Sequence, residues 1–102
     1  MQRRPEDAGC VPLDEVDAFP LAFRKGAQAV ISHLHASGES ASEFFATVEK
    51  GPLLSRRLVF HLWHASAFEG ADQIAAGNPG GRCRDVVYDL RQDAVVATSW
   101  WQ

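Results

Sequence analysis

The sequence predicts an α+β domain, with three to four helices followed by a C-terminal antiparallel β-hairpin packed on them. Three observations carry that expectation. Apolar residues recur at helical spacing after Pro20. Ser40-Ala41-Ser42-Glu43 and Ser66-Ala67-Phe68-Glu69 both have the form of a capping box. Beyond a Gly/Pro-rich run at 77–81, two β-rich stretches flank a short polar turn.

Residues 1–18 hold Pro5, Gly9 and Pro12 and show no period, which reads as an irregular acidic arm. The remainder, 19–102, reads as a single globular domain. Pro20 suits the first turn of a helix, where its missing N–H is not needed. Phe23, Ala27, Val30, Ile31 and Leu34 then form one stripe, and Ser37-Gly38 ends it. A second helix is expected over 41–50, stopped by Gly51-Pro52. The stretch 53–65 reads two ways. As a helix it aligns Leu54, Leu58, Leu62 and Ala65; as a strand, 57–64 is rich in β-formers such as Val59, Phe60 and Trp63. Propensity over 53–57 favours the helix. A fourth helix follows at 67–76. Strands at 86–90 and 94–101, joined through Arg91-Gln92-Asp93, make the hairpin.

One domain fits 102 residues, and folding at this size buries roughly 60–70% of the unfolded chain's surface. The composition, 46% hydrophobic and 23% charged, is that of a globular protein and excludes a disordered or collagen-like chain. Arg3-Arg4 is not followed by an apolar run, so no export signal and no membrane span is expected. Cys10 and Cys83 lie far apart and outside any Cys-x-x-Cys pair, which points to a cytoplasmic protein with two thiols. The net charge of −3 opposes binding to phosphate backbones. That excess lies in the first half, chiefly at Glu6, Asp7, Asp14, Glu15 and Asp17. Such a run reads as a solvated arm or as a patch for a basic partner.

No set of side chains reads as acid, base and nucleophile together, so no enzyme is expected and no catalytic residue or cofactor is assigned. His61 and His64 are three apart, which on a helix puts both rings on one face within reach of one metal ion. No acidic residue stands near them in sequence to complete a site. His33 and His35 would point apart on a helix. Gly77 to Gly81, followed by Arg82 and Arg84, lacks the lysine of a phosphate loop and reads as a helix-to-strand connection. Three helices and a hairpin also resemble a winged helix in outline. The would-be reading helix, however, offers an apolar surface beyond Arg56 and Arg57.

The hairpin is the most informative segment. Trp100 and Trp101 are neighbours, so on a strand only one can enter the core, unless the chain end curls and buries both. Trp100 or Trp101 with Tyr88, flanked by Asp85, Asp89 and Asp93, has the composition of an interface hot spot rimmed by charge. The expected function is therefore a small cytoplasmic domain that binds a basic protein, in concrete form a stoichiometric inhibitor of the immunity or antitoxin kind. A winged-helix regulator and a metal-binding protein using His61 and His64 are the alternatives.

Overall fold

The computed structural model describes residues 10–51, 56–65 and 83–101. Among these it has one α-helix, α1 (Leu21–Ala36), and five strands: β1 (Val11–Pro12), β2 (Phe44–Lys50), β3 (Arg57–His64), β4 (Arg84–Asp89) and β5 (Ala94–Trp100). The strands form a single antiparallel sheet in the order β1-β2-β3-β4-β5. Helix α1 lies across one face of it.

This architecture corrects the expectation of three to four helices and a hairpin. Among the described residues, 41–50 and 56–65 are not α-helices. The first contains one 3₁₀ turn (Ala41–Glu43) and then β2; the second contains β3. The Ser40 side chain does not cap a helix, and its Oγ lies 2.8 Å from Ser42 Oγ. The physical reason is pairing. Phe44 to Lys50 align residue by residue with His64 to Leu58, and β3 aligns equally with β4. In that register Phe44 and Ala46 share one face with Leu58, Phe60 and Leu62, and all five are buried. A helix over 53–65 would bury one stripe, whereas the strand buries a full alternate set against α1. Strands β4 and β5 fall close to the two expected strands, but as one part of a five-stranded sheet. With the second and third helices gone, the winged-helix outline goes as well.

Helix α1 forms where the apolar stripe placed it. The Phe23 N–H donates to the Pro20 carbonyl at 2.9 Å, and the Arg24 guanidinium ties the entry by donating to the carbonyls of Phe19 and Asp17. Ala27, Val30 and Leu34 are fully buried. Gly26 is the point of closest approach to the sheet: a Cβ there would lie 3.0 Å from the Phe60 ring and from Tyr88. Gly38, at φ +80°, ends the helix in the left-handed conformation that glycine adopts without strain.

Residues 10–13 of the N-terminal stretch join the domain. Val11 and Pro12 pair with Ala46 and Phe45, and Leu13 is fully buried, while Asp14, Glu15 and Asp17 are exposed. The expected helix at 67–76 and the glycine-rich run 77–81 lie outside the described residues, as do residues 1–9. No helix among the described residues is long and apolar enough to cross a membrane.

Candidate functional site

The strand register sorts side chains onto two faces. Leu58, Phe60, Leu62, Val86 and Tyr88 point to α1 and are at most 2% exposed. Val59, His61, Trp63, Asp85 and Val87 point the other way and are half-buried. No described helix covers this second face, and a polar and aromatic network crosses it.

Asp85 is its centre. Asp85 Oδ1 accepts hydrogen bonds from Trp101 Nε1 at 2.7 Å and from His61 Nδ1 at 2.8 Å. The other imidazole nitrogen, His61 Nε2, lies 3.0 Å from Glu49 Oε2. Ionised carboxylates only accept hydrogen bonds, so both ring nitrogens must carry protons to satisfy both contacts. Burial alone would lower the His61 pKa, but the bonds to Glu49 and Asp85, with their charges, outweigh it and raise it above its ordinary value. The network thus runs from β2 through β3 and β4 to Trp101, just beyond β5. Its aromatic part is the pair Trp63 and Trp101, edge to face with ring centres 5.0 Å apart. The His61 ring lies 6.4 Å from that of Trp63.

At the far end of the same face, Asp89 shapes the β4–β5 turn. Its Oδ1 accepts the backbone N–H groups of Arg91 and Gln92, and Arg57 Nε reaches its Oδ2 at 3.4 Å. The Gln92 N–H, with those of Arg91 and Arg57, holds the Asp89 carboxyl below its usual range against the opposing effect of burial. The face therefore bears three carboxylates, Glu49, Asp85 and Asp89, against Arg57 and a titrating His61.

The residues expected to form one aromatic-acidic patch divide between the two faces. Asp85 and Trp101 are together on the helix-free face. Tyr88 is 1% exposed, on the helix side, and its hydroxyl donates to Asp93, which stands in the turn at φ +52°. An outward Tyr88 is thereby corrected: the β4 alternation turns it inward. Burial first, then Asp93, pushes its pKa up to about 12. Trp100 is on the helix side at the sheet edge, 55% exposed, with the Arg84 guanidinium 4.0 Å from its ring centre. Arg84 is itself buried and makes a two-point contact with Glu39, both bonds 2.6 Å.

His61 and His64 do not share a site. Three residues apart on a strand, their rings project to opposite faces, His61 to the carboxylates and His64 toward Phe44 and Glu43. A common metal ion between them is geometrically excluded. The sequence alone assigns Trp63 only to a possible strand and places neither it nor Glu49 nor Glu39 in a site. The signal for Trp63 was present in the alternation of 57–64, since a strand there groups Arg57, Val59, His61 and Trp63 on one side.

No family model matches this chain, and neither the curated proteins nor the solved structures contain a significant match to it.

Proposed function

We propose that this protein is a binding domain whose helix-free sheet face docks a basic protein partner. The observation that carries the reading is the Glu49–His61–Asp85–Trp101 network with Trp63 packed against it. A pre-ordered aromatic pair beside acidic groups fits the lysine and arginine side chains of a partner, which stack on indoles and pair with carboxylates. His61 has both nitrogens engaged by carboxylates, which favours an architectural part for it over that of a general base. In this reading the protein is cytoplasmic, in keeping with its two buried thiols, Cys10 and Cys83. It acts by occupying its partner stoichiometrically, as an immunity- or antitoxin-like inhibitor does.

The test is affinity capture from nuclease-treated lysate of the native host, with wild type and variants side by side. Trp63→Ala and Trp101→Ala should lose a basic partner that wild type retains, at little change in melting temperature. Leu21→Ala, at an exposed position on α1, should retain it. Full capture by both tryptophan variants, or no stoichiometric partner for wild type, refutes the reading.

A further inference from the structure

We infer that His61 is a proton-operated latch on the helix-free face: when the imidazolium loses one proton it releases Glu49, and the freed carboxylate strengthens docking of a basic partner. The latch is the regulation of the surface proposed above and rests on that reading. Geometry decides which contact lets go. His61 ties β3 to both its neighbours, with Nδ1 2.8 Å from Asp85 on β4 and Nε2 3.0 Å from Glu49 on β2. A neutral imidazole has one N–H and can serve only one of the two carboxylates. Asp85 is the better placed to keep it. Its side chain is 32% exposed, against 69% for Glu49, and the same oxygen is fixed by Trp101 Nε1 at 2.7 Å. Glu49, largely in water, gives up little when its ion pair breaks. Proton loss therefore leaves the Nδ1–H tautomer on Asp85, sets the bare Nε2 lone pair against Glu49, and turns that carboxylate outward. The Asp85–Trp101 bond and the edge-to-face indoles stay in place.

The charge of the face changes in the same step. Before it, the imidazolium offsets one of the two carboxylates; after it, neither is offset, which favours an incoming lysine or arginine. Among the described residues, the groups around His61 leave this step to the imidazole. Its own strand presents Val59 and Trp63 on this side, and besides the two carboxylates the neighbouring strands present Thr47 and Val87. Arg57 stands further along β3, bonded to Asp89. Lys50 and His64 alternate to the helix side, and the Cys10 thiol lies beyond β2, next to β1. Burial opposes the imidazolium, but the bonds and charges of Glu49 and Asp85 outweigh it, so the step falls above the ordinary histidine value. Linkage makes the effect reciprocal: a docked cation favours loss of the His61 proton by the same factor by which proton loss strengthens docking.

Nitrogen-15 NMR of the free protein tests the latch. Both His61 nitrogens should carry protons below the titration midpoint, and Nδ1 alone above it; Glu49→Gln should lower the midpoint. A hexa-arginine peptide then probes docking through the indole N–H signals of Trp63 and Trp101. It should bind wild type about tenfold more tightly above the midpoint than below it. His61→Gln should flatten that difference, whereas His35→Gln, at an exposed position on α1, should retain it. An Nε2–H tautomer above the midpoint, or peptide binding with the same pH dependence in wild type and His61→Gln, overturns the latch and leaves the docking reading standing. A peptide that moves neither indole signal at any pH refutes the docking chemistry itself, and the latch falls with it.

Discussion

The two faces of strand β3 differ in kind although their residues alternate along one chain. On the side of α1, Leu58, Phe60 and Leu62 are sealed, and the buried Arg84 guanidinium nearby is held by Glu39 at two points. On the other side Val59, His61 and Trp63 remain partly open, and polar groups are joined across strands rather than excluded. The helix side is where burial supplies stability. The helix-free side carries a pre-ordered set of charged and aromatic groups joined across the strands. The difference arises from what packs against each side, since strand propensity along β3 is shared by both.

The sharpest way to break this contrast is a matched pair of truncations. Phe60→Ala should cost about 3–5 kcal/mol in urea unfolding, because it opens a cavity under Gly26 and Ala27. Val59→Ala, on the helix-free side, should cost under about 1 kcal/mol. If the two costs were equal, the helix-free face would be as tightly buried as the core. Next in size is Glu39→Ala. It strips the buried Arg84 guanidinium of its carboxylate and should cost about 3 kcal/mol by the same measurement. A third substitution probes how closely the helix rides on the sheet. Gly26→Ala gains about 1 kcal/mol of helix propensity but presses a methyl into the Phe60 and Tyr88 rings. Overpacking costs about 1–3 kcal/mol, so a net loss of up to about 2 kcal/mol is expected. A gain in melting temperature would show that the rings can yield.

The smallest effects separate the faces by pH. The folded His61 pKa is raised. Its contribution to stability is therefore fully present below the unfolded value of about 6.5 and is lost as pH rises through the folded pKa. Wild type and His61→Gln should differ most near about pH 5.5–6 and converge in mild alkali. Tyr88, also raised, behaves likewise at far higher pH. Its contribution is constant below about pH 10 and is lost as pH climbs toward about 12. Denaturation midpoints against pH for His61→Gln and Tyr88→Phe read both. A His61 imidazole titrating below 6.5 by NMR would contradict the two-carboxylate bridge.

Part of this architecture was legible in the residues. Helix α1 follows from Pro20, the stripe Phe23 to Leu34, and Gly38, all of them local signals. The β4–β5 connection follows from a polar turn between β-branched runs. What misled was the capping-box pattern at 40–43. A capping interaction is worth about 1 kcal/mol and acts only if a helix forms, whereas β2 gains a partner along its whole length and a buried face against α1. The candidate site was legible in fragments. Asp85 and Trp101 were named, but Glu49, His61 and Trp63 lie on other strands and meet Asp85 or Trp101 only through register. Tyr88 was assigned to the surface because alternation says which residues share a side but not which side is covered.

The sequence by itself determined a modest acidic charge, the course of α1 and the turn through Arg91-Gln92-Asp93, and the last two rest on interactions among near neighbours. The tertiary structure decided that 44–50 and 57–64 are strands, that His61 belongs with carboxylates instead of His64, and that Trp100 and Trp101 leave the sheet on opposite sides. Those outcomes depend on pairing partners tens of residues away and on α1, whose position selects which face of the sheet becomes the core.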